Sequence, residues 1–139
     1  MSPGRMPARI APLWADYDPT KPGSGNVWFL SLPNQAVISW AGVYEKGAAS
    51  PVNFQLVLYP NGHITVAYGK NWLPATTKLD RLIGASTGNG ATFAAVDFAA
   101  HPLLTGSNLF AQTFRSEQAL PYEAMMFDWS PAFPGFAIS

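Results

Sequence analysis

The amino-acid sequence predicts an all-β fold, a two-layer antiparallel β-sandwich of about eight or nine short strands. Three observations carry this expectation. Thirteen Pro and twelve Gly punctuate short apolar runs. No stretch keeps a 3.6-residue apolar period over three turns, and several runs alternate apolar and polar residues with period two. The strands expected from these runs are 10–15, 26–32, 35–44, 54–59, 63–69, 81–86, 92–98, 109–115 and 122–129.

The opening run, Ile-Ala-Pro-Leu-Trp from Ile10, ends in Asp16 and Asp18 and leads into a loop of turn formers between Pro19 and Gly25. The run 26–32 follows as the next strand. In the third strand, Ala36, Ile38 and Trp40 fall on one face and Val37, Ser39, Ala41 and Val43 on the other. Neither face is strongly polar, so this strand is expected to be central, with Trp40 in the core.

Pro60-Asn61-Gly62 is the sharpest turn signal, and two loop lengths predict different neighbours. A two-residue Asn-Gly loop sets Phe54, Leu56 and Leu58 beside Gly69, Ala67 and Thr65. A three-residue loop, with Pro60 and Asn61 in a type I turn and Gly62 left-handed, pairs Tyr59 with His63. It then sets Leu58 beside Ile64, Leu56 beside Val66 and Phe54 beside Tyr68. Because a one-residue slip exchanges the faces, the three-residue register, which segregates the large apolar side chains, is the expected one. Gln55, Val57, Tyr59, His63, Thr65 and Ala67 then form a semi-polar face. Beyond it, Gly84 to Gly90 reads as a connection. The segment 130–139, rich in Pro and Gly, reads as an irregular C-terminal tail that packs across the sandwich or docks on a neighbouring chain.

With 139 residues, the chain is expected to form a single domain, 1–139, with one substantial core. Apolar residues make up 48% and charged residues 12%, about half the usual charged share, so exposed apolar surface is expected. Eight Lys and Arg balance eight Asp and Glu. That balance gives no electrostatic footprint for nucleic acid, and it leaves little repulsion between copies, which favours a homo-oligomer. The absence of Cys excludes disulfides, thiol nucleophiles and thiolate metal sites. No run of about 18 apolar residues is present, so membrane insertion is not expected, and the first residues carry no apolar signal-peptide region. An exported form would need its signal in a longer precursor.

Four motifs together resemble the nidogen-type extracellular (NIDO) domain. They are Ile-Ala-Pro-Leu-Trp-Ala-Asp-Tyr-Asp-Pro from Ile10, Ala-Val-Ile-Ser-Trp ending at Trp40, Asn-Phe-Gln-Leu-Val-Leu-Tyr-Pro-Asn-Gly-His-Ile-Thr-Val-Ala-Tyr-Gly from Asn53, and Leu-Ile-Gly-Ala-Ser-Thr-Gly-Asn-Gly from Leu82. The resemblance covers roughly 9–90 and matches the bacterial type of the domain. It implies an extracellular or cell-surface location and an adhesion or binding role toward a glycan or extracellular protein, with no catalytic set and no cofactor. The chain departs from the family in standing without partner modules, and the region after Phe98 has no counterpart.

Several constellations carry chemistry of their own. Asp16 and Asp18, two apart in extended backbone, are candidate ligands for Ca²⁺, which wants six to eight oxygens. The simpler reading is that they cap turns before Pro19. A glycoside hydrolase needs two carboxylates flanking an aromatic-lined sugar site, and Asp16, Asp18 and Glu45 are the first choice for that alternative. His63 and His101 lack the Ser and carboxylate context of a nucleophilic triad. Trp72, in a loop, is a candidate sugar-stacking residue, with Tyr59 and His63 as further candidate ligand contacts. A third reading is a self-assembling structural subunit, resting on the neutral charge and the apolar tail.

Overall fold

The computed structural model describes residues 8–69, 81–86, 88, 93–95, 97, 100, 103–105, 109–114, 124–130 and 135–138. Among these, eleven strands form: β1 Arg9–Trp14, β2 Asn26–Leu32, β3 Gln35–Val43, β4 Val52–Leu58, β5 His63–Tyr68, β6 Arg81–Ser86, β7 Phe93–Ala95, β8 Leu103–Thr105, β9 Leu109–Phe114, β10 Ala124–Ser130 and β11 Gly135–Ile138. They build two sheets, a four-stranded one in the order β1-β6-β9-β7 and a seven-stranded one in the order β2-β3-β4-β5-β10-β11-β8. The fold is the expected all-β sandwich. All pairings are antiparallel except β7 with β9, which is parallel.

The two layers meet where alternation puts large apolar side chains on facing surfaces. Phe54 and Leu56 of β4 and Ile64, Val66 and Tyr68 of β5 pack with Leu13 of β1 and Ile83 and Ala85 of β6. The Tyr68 hydroxyl donates across the layers to the Pro12 carbonyl at 2.5 Å, so the phenol is satisfied inside the core. Trp40 is half-buried and stacks on Phe54, ring centroids 4.5 Å apart and planes 14° from parallel.

The β4–β5 hairpin adopts the three-residue register. Phe54 pairs with Tyr68, Leu56 with Val66 and Leu58 with Ile64. Gly62 takes φ 86°, and its N–H donates to the Tyr59 carbonyl at 3.1 Å. A left-handed residue at this point is what a type I turn needs to rejoin the ladder, and Gly adopts it without a Cβ clash. The Asn61 side chain accepts the His63 N–H at 3.0 Å, closing the turn from within.

The structure narrows or corrects several expectations. β3 lies inside the sheet but second from its edge, with β2 outside it. The strand expected over 81–86 forms as β6 between β1 and β9, so the connection expected over 84–90 does not begin until after Ser86; of its remaining residues Gly88 alone is described. Within the segment 130–139, expected as an irregular tail, Ser130 ends β10 and Gly135–Ile138 form β11, which lies between β10 and β8 and pairs with both, while residues 131–134 and 139 lie outside the described residues. The two strands absent from the sequence reading, β8 and β11, span three and four residues, too few for a period to register.

Candidate functional site

The seven-stranded sheet presents its outer face from β2 to β5, and cross-strand pairing decides what lies on it. Trp28 pairs with Ser39, and Ser39 with Gln55. The next row is Leu30, Val37, Val57 and Thr65. Directly paired residues share a face, so one indole, one hydroxyl and one primary amide stand side by side. The Gln55 Nε2 donates to Ser39 Oγ at 2.8 Å, which turns the amide toward the middle strand of the row. Trp28 is 62% exposed.

β2 explains that exposure. Its sequence, Asn-Val-Trp-Phe-Leu-Ser-Leu, is apolar on both faces, yet every residue of the strand is exposed. The opposing four-stranded sheet buries β4 and β5, and no β2 residue joins the core cluster. Val27 and Phe29, on the core-side face, are 52% and 68% exposed.

At the hairpin end of the same sheet, the Pro33-Asn34 turn and the Pro60-Asn61-Gly62 turn flank a shallow depression of about 300 Å³, lined by Ser31, Leu32, Gln35, Leu58 and Tyr59 among others. The Tyr59 and His63 rings meet edge to face, centroids 5.4 Å apart. The structure therefore brings together two of the three residues expected to touch ligand. Trp72, the third, lies outside the described residues.

The candidate acids occupy the opposite end. β3 runs from Gln35 beside the depression to Val43, two residues before Glu45, a span of about 27 Å at ~3.4 Å per residue. The acids and the Tyr59–His63 pair do not share a site. Tyr17 turns inward and donates its hydroxyl to the Leu13 carbonyl at 2.7 Å, with Asp16 and Asp18 on either side of it in the chain. Asp16 is exposed and lies 4.0 Å from the Lys46 ammonium. Asp18 Oδ1 accepts the Thr20 hydroxyl at 2.6 Å and the Thr20 N–H at 3.0 Å. The Thr20 hydroxyl, more than any other group, holds the Asp18 carboxyl below its ordinary pKa. This is the turn-capping role.

Glu45, the third acid of the hydrolase alternative, is inaccessible to a substrate. It has no exposed surface, and its two oxygens accept Arg81 Nε at 2.5 Å and Nη2 at 2.8 Å. Arg81 opens β6 and is equally buried, so this bidentate pair joins the loop after β3 to the other sheet. Tyr17 lies against the pair, and burial, followed by the Glu45 charge, pushes its phenol pKa well above the usual value. Among the described residues, no group of three His, Cys, Asp or Glu side chains gathers to hold a metal ion.

Sequence reasoning missed Trp28. The signal was present in the alternation of 26–32, which sets Trp28, Leu30 and Leu32 on one face, but a strand apolar on both faces reads as buried. No family model, no curated protein and no solved structure matches this chain.

Proposed function

We propose that the protein is a non-catalytic extracellular binding module that takes a glycan on the outer face of its seven-stranded sheet. The observation that carries this reading is the exposed Trp28 indole set beside the hydrogen-bonded Ser39–Gln55 pair. Sugar rings offer apolar C–H faces that stack on an indole and hydroxyls that exchange hydrogen bonds with an amide and a hydroxyl. A sheet face holds such groups at fixed spacing, which lowers the ordering cost of binding. The depression at the hairpin end, which Leu32, Gln35 and Tyr59 of this face line in part, offers room for a second sugar unit. The resemblance to nidogen-type domains supports an extracellular setting and a role without turnover, and the structural employment of Asp18 and Glu45 supports the second of these.

Affinity electrophoresis through gels containing cellulose derivatives, xylan, mannan, chitin derivatives or galactan tests this. The expected result is retardation by at least one polysaccharide, weakened about tenfold by Trp28→Ala, a loss near 1.4 kcal/mol. Gln55→Ala is expected to weaken it less. Retardation unchanged in Trp28→Ala would remove the outer face as the site. Migration unaffected by every polysaccharide would overturn the glycan reading.

A further inference from the structure

The outer edge of β2 is the least protected feature of the molecule. β2 terminates the seven-stranded sheet, so one row of its backbone N–H and C=O groups has no neighbouring strand among the described residues. Edge strands ordinarily carry a charge, a proline, a bulge or a cover against pairing with another chain. β2 has none of these. Residues 26–32 include no charged residue and no Pro, the seven pairs with β3 run without a register shift, and all seven residues are exposed.

We infer that β2 pairs antiparallel with β2 of a second copy of this chain, about a two-fold axis through Phe29. The hydrogen-bond pattern suits that axis. The two-residue turn Pro33-Asn34 makes Leu32 and Gln35 the closing hydrogen-bonded pair of the β2–β3 hairpin. Alternation then directs the amide groups of Asn26, Trp28 and Leu30 toward β3 and those of Val27, Phe29 and Ser31 toward the open edge. With Phe29 on the axis, Phe29 meets Phe29 of the second copy, and Val27 meets Ser31 of the second copy, each as an outward-directed hydrogen-bonded pair. Trp28 falls opposite Leu30 of the second copy on the other face.

A second copy fits better than an unrelated strand for two reasons. The edge is self-complementary in both hydrogen bonding and side-chain chemistry, and a chain with eight cations and eight anions meets little repulsion from itself. The flanking side chains suit such a contact as well. Val27, Phe29 and Leu30 are each more than half exposed and apolar, so pairing sets apolar flanks against one another across the axis. Both Trp28 side chains then lie on one outer face of a continuous sheet. The pairing itself needs only the β2 edge and does not depend on what the outer face binds.

Sedimentation velocity of the full chain, with Phe29→Lys and Phe29→Glu variants, tests the inference. The wild type is expected to sediment as a dimer that dissociates on dilution. Each variant sets like charges against each other across the axis and is expected to be monomeric, and an equimolar mixture of the two is expected to recover the dimer. Amide exchange on the wild type provides a measurement independent of variant folding, with Val27, Phe29 and Ser31 slowing as concentration rises. A wild-type monomer at every concentration overturns the inference, as do variants that remain dimeric, a mixture that stays monomeric, or exchange at these amides that ignores concentration.

Discussion

Glu45 and Arg81 place two full charges where no solvent reaches, and the geometry makes them a single unit. Removing one partner leaves the other buried without the bidentate pair that balances its charge. Glu45→Gln is therefore expected to cost about 3–5 kcal/mol in urea denaturation, whereas Glu45→Leu combined with Arg81→Met is expected to recover most of that loss. A catalytic Glu45 would instead leave the stability of Glu45→Gln near that of the wild type. Tyr17, beside this pair, adds a pH dependence. Its raised phenol pKa means that near pH 10 the unfolded chain releases the proton while the folded chain keeps it. The unfolded state then binds fewer protons, so stability is full below pH ~10 and falls as the pH rises further, by up to about 1.4 kcal/mol per unit. Tyr17→Phe is expected to abolish that part of the alkaline slope, compared with wild type in denaturation curves at several pH values. A slope shared by both proteins would assign the alkaline loss to other groups. At this scale the sequence was partly legible. Asp18-Pro19-Thr20 announces its turn by composition, while the Arg81 that engages Glu45 lies 36 residues away and has no local signal.

Among the elements, what could be read from the sequence depended on length and on the contrast between faces. The β4–β5 hairpin was legible to the individual pair, because a six-residue alternation on each side and a Pro-Asn-Gly turn leave one register that segregates the large side chains. β8 and β11 were not, since three or four residues in Pro- and Gly-rich surroundings gain their pairing from the sheet they join rather than from their own pattern. β2 was located to the residue, yet its environment was not foreseen. An apolar residue on both faces means burial when another layer covers the strand, and the covering layer is decided by residues far away in sequence. The candidate site inherits that difficulty. Tyr59 and His63 follow from the hairpin, whereas the Trp28–Ser39–Gln55 row appears only when three strands are set side by side.

For the molecule as a whole, the two sheets are unequal, four strands against seven among the described residues, and the smaller one builds the shared core over β4 and β5. The remaining strands of the larger sheet depend on lateral pairing. β11 matters most in this respect, because it joins β10 to β8, and β8 pairs with no other strand among the described residues. An assembly tail that docks on a neighbouring chain would be removable, changing the mass of the particle and leaving each copy folded. A strand inside a sheet is different, since its loss strips β8 of its partner and opens the β10 edge to solvent. Deleting residues 131–139 is thus expected to lower the melting temperature sharply and to broaden the transition, with the loss visible at concentrations where the full chain is monomeric. Far-ultraviolet circular dichroism during a thermal scan reads this directly. A truncated chain that melts like the full one and differs only in sedimentation would mean that residues 135–138 serve contacts between copies, and that the seven-stranded sheet is complete without them.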